Sequence, residues 1–205
     1  MASNIVEKSK EKYLRYTHRH EKILDVAIRL FNLKGYNAAT TSEIAKKAGI
    51  SEPTLYTHFE NKKDLFLACF RSISDQLLAG YRDVYNKNTD DEKGYIEGVT
   101  KVYVDFVMQN PHKSMFLVHL LSYKGNPEFA GVLEEFMERN IEGVRRILES
   151  AKKKGMLRSK INLRLLACVF VNQYYTVVAS REFLDSKYIT GDAYNQLMLD
   201  MLKMD

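Results

Sequence analysis

The chain has 205 residues, of which 45% are apolar and 28% charged, with ten Gly, three Pro, two Cys and no Trp. This length suits one large domain, or a small domain joined to a larger one, and so few Pro and Gly residues argue against an all-β fold. The longest nearly uncharged stretch, 165–180, is too short to span a bilayer, and residues 1–20 lack the apolar core of a signal peptide. We therefore expect a soluble, cytoplasmic, helical protein with Cys69 and Cys168 as reduced thiols.

Positive charge is concentrated near the start of the chain. Residues 1–70 contain 12 Lys and Arg against 8 Asp and Glu, a net of +4, whereas residues 71–205 contain 19 against 18, a net of +1. Such a bias fits a nucleic-acid partner, although an ordinary solvated face produces it too. Residues 1–16 are polar and basic without clear periodicity, so we expect either a mobile arm or an extension of the first helix.

Three short helices follow this segment. Apolar residues at steps of three and four predict a first helix from Thr17 to the stop at Gly35, with the apolar set Ile23, Leu24, Ala27, Ile28, Leu30 and Phe31. Thr40 and Glu43 form a capping box, in which each side chain binds the other's backbone N–H, at the start of a second helix that Gly49 ends.

The third helix is predicted from Glu52 to about Phe59. Ser51 is a favoured N-cap residue, and Pro53 lies in the first turn, where its missing N–H breaks no helical bond. Helix, Gly-containing turn and helix in this order are the grammar of a helix-turn-helix.

The remainder of the chain predicts six further helices, about nine in total. Their expected ranges are 62–86, a fifth helix closed by Pro111, a short sixth around 115–121, 129–154, 162–184 and 192–203. The eighth is apolar almost all round, so we expect one of its partners to be a second copy of the chain. With the ninth helix it would form a four-helix dimer interface through Leu166, Val169, Phe170, Val177, Val178 and Met198.

The sequence contains none of the common catalytic motifs, and no metal or cofactor is expected. The cluster His18-Arg19-His20-Glu21 does not present its side chains to one point, because neighbouring helical residues diverge. Aromatic and polar residues on the fifth, sixth and eighth helices fit a mixed pocket in the bundle interior, although ordinary core packing explains them equally. These residues are Tyr103, Phe106, Met115, Phe116, His119, Tyr174 and Tyr175.

Residues 17–70 resemble the DNA-binding signature of the TetR family of bacterial transcriptional regulators. The matching positions are Gly35-Tyr36, Thr40, Ile44-Ala45, Ala48-Gly49-Ile50-Ser51, Thr54-Leu55-Tyr56, His58-Phe59, Lys62 and Leu65. Pro53 departs from the family, which often has Gly there. The resemblance implies an all-α homodimer with a helix-turn-helix domain at 17–61 and an effector-binding and dimerisation domain at 62–205.

The resemblance also implies roles for individual residues. Tyr56 and His58 would touch phosphates or bases, Thr54 a phosphate or a thymine methyl, and Lys62 a phosphate beside a helix N-terminus. Further contacts on the second helix would be Thr41, Ser42 and Lys46. The expected function is a repressor that a small, mostly apolar effector releases from a palindromic operator; the alternatives are a helical adaptor for protein partners and an enzyme with a bundle pocket.

Overall fold

The computed structural model describes residues 2–87, 91–123, 125–155, 157, 160–183, 193 and 196. Within these residues all regular structure is helical. The helices are α1 Ala2–Ala38, α2 Thr41–Ala48, α3 Glu52–Tyr56, α4 Lys62–Lys87, α5 Glu92–Gln109, α6 Pro111–His119 with a 3-10 turn Leu120–Tyr123, α7 Ala130–Lys153 and α8 Leu163–Phe183. The all-α prediction is therefore confirmed, and the expected ninth helix at 192–203 lies outside the described residues apart from 193 and 196.

The chain forms two compact units, residues 1–72 and 73–205. The sequence pattern predicts a domain boundary at the start of the fourth helix, whereas the first unit also takes in residues 62–72 of α4. Because α4 is one continuous helix through this boundary, each unit contains part of it. None of the helices in the described part of the chain is both long and apolar enough to cross a membrane.

The first unit is built on α1, which begins at Ala2, so residues 2–16 extend the first helix rather than forming an arm. The six predicted apolar residues of α1, from Ile23 to Phe31, are all buried. The ring of Phe66 packs edge-on against both Phe31 and Phe70, with ring centroids 5.0 Å apart in each pair. Gly35 interrupts the helix with φ 73° and ψ 169°, a backbone conformation that favours glycine.

The caps of α2 and α3 agree with the sequence pattern except at Glu43. The Thr40 hydroxyl accepts from Glu43 N–H at 3.2 Å, but the Glu43 carboxylate accepts from Lys34 Nζ at 2.7 Å. Gly49 ends α2 at φ 74°, and the Ser51 hydroxyl caps α3 by accepting from the N–H of Thr54.

The third helix ends at Tyr56, three residues before the predicted end at Phe59. The Thr57 hydroxyl donates to the Thr54 carbonyl at 2.7 Å, and the Thr57 N–H bonds the same carbonyl. This local side-chain bond competes with regular helix and closes α3 in a turn.

The second unit contains close helix packing and a buried polar pair. A Cβ at Gly98 of α5 would lie 2.5 Å from Val84 Cγ1, and one at Gly80 of α4 would lie 2.8 Å from Val102 Cγ1. These two glycines therefore let α4 and α5 approach each other closely. Elsewhere in the unit, the hydroxyl of Ser74 in α4 hydrogen-bonds the Asn140 side chain of α7, and both residues are buried.

Candidate nucleic-acid interface and ligand cavities

Three of the predicted DNA-contacting residues lie exposed on α2 and α3. Ser42 and Lys46 are exposed on α2, and the Tyr56 side chain at the end of α3 is 46% exposed. Thr54 is half-buried, and its hydroxyl lies 2.7 Å from that of Ser51, so part of its role is at the helix start. A short capped helix with an exposed polar side is suited to enter the major groove.

Thr41 differs from the other predicted contacts because it is buried. Its hydroxyl donates to Glu52 Oε1 at 2.5 Å and lies 3.1 Å from the hydroxyl of Tyr56. A threonine has one hydroxyl proton, so once that proton goes to the carboxylate, Tyr56 must be the donor in the second bond. Thr41 therefore ties α2 to both ends of α3 and orients Tyr56.

His58 lies in a stack of rings that links α1 to the end of α3. Its ring lies 4.2 Å from that of Tyr16 and 5.6 Å from that of His20, and the His20 ring lies 4.7 Å from that of Phe59. Burial lowers the pKa of both histidines, and for His58 the neighbouring His20 and the Arg19 cation lower it further. The Nδ1 atom of each histidine is buried without a hydrogen-bond partner. The imidazoles are therefore held as neutral packing groups beside α3.

Lys62 begins α4, as predicted, and its ammonium contacts the end of α1. Nζ donates to the Asn37 carbonyl at 3.1 Å and lies 4.5 Å from the centroid of the Tyr36 ring. These contacts hold the cation at the N-terminus of α4, where a phosphate would also meet the free N–H groups of the helix.

The second unit contains two adjoining cavities. The inner cavity, of about 40 Å³, is lined from all five helices α4 to α8, and its polar residues include Ser74, Tyr103 and Asn140. The outer cavity, of about 390 Å³, is lined mostly by α7 and α8, including Tyr175. Leu120 and Met137 line both cavities and so form the partition between them.

The predicted pocket residues are divided by this geometry. Tyr103 lines the inner cavity and Tyr175 the outer one. Phe116 is buried outside both linings, as are the half-buried Phe106, Met115 and His119, while the side chain of Tyr174 lies outside the described residues. The contribution of α4 was not predicted; it consists of Ile73, Ser74, Leu77, Leu78 and Tyr81. Among the described residues, no three His, Cys, Asp or Glu side chains converge on a metal site.

A capped helix-turn-helix with an exposed α3, followed by an all-helical unit with cavities, defines a helix-turn-helix DNA-binding regulator. Residues 23–69 match the family model described as bacterial regulatory proteins, tetR family. The chain is a member of the TetR family of transcriptional regulators, a class of regulators and not of enzymes.

Individual relatives agree with this assignment. The chain is 29% identical over 126 residues to the transcriptional activator FasR of Mycolicibacterium smegmatis, covering 62% of this chain and 57% of that protein. It is 23% identical over 171 residues to the fatty acid metabolism regulator protein of Bacillus subtilis, covering 83% and 87%. A solved TetR-family regulator from Rhodococcus sp. shares the fold, with a TM-score of 0.72, 14% identity and coverage of 90% and 96%.

Proposed function

We propose that the chain is a cytoplasmic, dimeric repressor that binds a palindromic operator and releases it when an apolar small molecule binds. The observation that carries the DNA-binding part is the capped α2–α3 pair, with Ser42, Lys46 and Tyr56 exposed together. Two such pairs in a two-fold dimer would read half-sites separated by about one turn of DNA, ~34–36 Å, or a multiple of it.

Each DNA-binding residue has a distinct proposed role. Thr54 and Tyr56 contact the duplex from α3, Ser42 and Lys46 from α2, and Lys62 binds a phosphate at the start of α4. Thr41 contributes by orienting Tyr56, because its own hydroxyl is engaged inside the unit. His58 supports α3 through its ring stack and approaches the phosphates from the turn that follows.

The cavities support an elongated, largely apolar effector with a hydrogen-bonding group. The outer cavity has the volume of typical small-molecule sites, whereas the inner one holds only a few waters. A ligand in the outer cavity would reach Ser74 and Asn140 once the flexible Met137 side chain moves aside. The relative from Bacillus subtilis carries fatty acid metabolism in its name, so we infer that fatty acids and their thioesters are the first compounds to test.

A dimer is supported by the exposed apolar residues of α8. Leu165 is 63% exposed and Val169 41% exposed, which is costly for adjacent apolar side chains unless a partner covers them. Leu166, Phe170 and Val178, which the sequence pattern assigns to the same interface, are buried within a single chain and belong to its core. The side chain of Val177 and Met198 lie outside the described residues.

Selection from a random duplex library by the intact protein tests DNA binding. We expect a palindromic sequence to be enriched and bound by two chains, and Lys62→Ala to weaken binding to all duplexes about equally. A selection that enriches no sequence would contradict the proposal. In vitro transcription from a promoter carrying the selected operator then tests repression, since increased transcript would show an activator.

The effector site is tested by filling the partition between the cavities. Fatty acids of eight to eighteen carbons and their coenzyme A thioesters are added to the protein–operator complex, and release is followed by fluorescence anisotropy. Met137→Trp should abolish release with unchanged operator affinity, whereas the control Met108→Trp, at a 53% exposed position of α5, should respond normally. Normal release from the Met137 variant would place the effector elsewhere.

A further inference from the structure

The basic residues in the first half of α1 recur with a helical period that was not recognised from the sequence. They occupy positions 8, 12, 15, 19 and 22, with steps of four, three, four and three, and no carboxylate occupies a position in this series. At 3.6 residues per turn such positions share one side of a helix. We call Lys8, Lys12, Arg15, Arg19 and Lys22 the basic stripe; α1 is helical throughout these positions.

One end of the basic stripe lies beside the helix-turn-helix. The Nζ of Lys22 lies 3.7 Å from where a Cβ on Gly49 would be, at the turn between α2 and α3. The next residue of the stripe, Arg19, is close enough to His58 for its charge to affect that imidazole. The stacking of Tyr16 on His58 holds the extended part of α1 against the same module. The side chains of Arg15, Arg19 and Lys22 are exposed.

We propose that the basic stripe binds backbone phosphates of the duplex that flanks the bases contacted by α3. This inference rests on the proposed DNA binding and adds a second contact region to each half-site. Positions 8 to 22 span about 21 Å at 1.5 Å per residue, which corresponds to roughly six base pairs at 3.4 Å each. Contacts of this kind add affinity and fix the register without reading sequence.

Salt-dependent binding measures these contacts directly. Operator affinity is determined by fluorescence anisotropy over a range of salt concentrations, on one duplex ending at the selected palindrome and one longer by about six base pairs at each end. For Arg15→Gln/Arg19→Gln on the long duplex, we expect the slope of log affinity against log salt to fall by roughly 0.9 for each lost phosphate contact per subunit. Sequence preference should be unchanged, and the difference from wild type should largely vanish on the short duplex.

Lys10 offers a matched control on the same helix. It is exposed and lies nine residues before Arg19, two and a half turns away, and therefore on the opposite side of α1. Lys10→Gln should leave the slope unchanged although it also removes one positive charge, and Arg19→Lys should keep the wild-type slope. Circular dichroism of each variant confirms that the helices are retained.

The outcomes separate this inference from the function on which it rests. Equal slopes for wild type and Arg15→Gln/Arg19→Gln on the long duplex would overturn the inference while leaving operator binding intact. An equal effect of Lys10→Gln would also overturn it, because general charge would then explain the loss. A wild-type protein that binds no duplex would overturn the proposed function itself.

Discussion

Replacing Thr41 by Val tests whether the buried hydroxyl joins α2 to α3. The substitution keeps the side-chain shape and removes two hydrogen bonds, one to the Glu52 carboxylate at 2.5 Å and one from Tyr56 at 3.1 Å. A hydrogen bond to a charged group contributes about 1.5–3 kcal/mol and a neutral one about 0.5–1.5 kcal/mol. Because Glu52 is only half-buried and Tyr56 is exposed, water replaces part of both bonds. We therefore expect a loss of about 1–2 kcal/mol in the free energy of unfolding of the first unit.

Native-state hydrogen exchange of amides in α2 reports on this unit alone, even if the second unit unfolds separately. Tyr56→Phe should cost less than Thr41→Val, and the double variant should cost at least ~0.5 kcal/mol less than the sum of the two. Thr57→Val removes a hydroxyl whose bond is local to the turn, so it should not show this coupling to Tyr56. Additivity of Thr41→Val and Tyr56→Phe within ~0.3 kcal/mol would refute the shared network.

Three further predictions follow from packing, titration and exposure. Gly98→Ala should destabilise the second unit by about 1–3 kcal/mol in thermal unfolding, since its Cβ would meet Val84, whereas Gly131→Ala, with open space around it, should not. The lowered pKa of His58 means that the unfolded chain gains its proton first as the pH falls below 6.5; stability should therefore fall, and His58→Gln should reduce this fall in melts from pH 7.5 to 5.5. Val169→Glu should yield folded monomers in sedimentation experiments, whereas Val178→Glu, at a buried position, should unfold the protein; a stable dimer of the first variant would refute the α8 interface.

The helices of the first unit were predictable because their ends are written in local chemistry. Thr40, Gly49 and Ser51 each act at a single helix end, and each adopts the expected cap. The early end of α3 was not predictable from periodicity, since it depends on the Thr57 side chain competing with the helix. Similarly, Glu43 has both a capping partner and a cation within reach, and its carboxylate pairs with Lys34, nine residues earlier in the chain.

The candidate sites were less predictable because they depend on which helices meet. Aromatic residues such as Phe106 and Met115's neighbour Phe116 suit either a core or a pocket, and only packing distinguishes the two. The polar pair of Ser74 and Asn140 joins residues 66 positions apart, so no local pattern reveals it. By contrast, Tyr16 and His20 are four residues apart, and this spacing could have placed both on one side of α1 from the sequence alone.

The ring stack on His58 provides a natural position for an optical reporter. The chain contains no Trp, so Tyr16→Trp would introduce the only indole, stacked on the His58 imidazole beside α3. A neutral imidazole and a protonated one quench indole emission to different extents. If bound phosphates stabilise the protonated form of His58, the emission of this one residue would follow operator binding without a dye on the protein or the DNA.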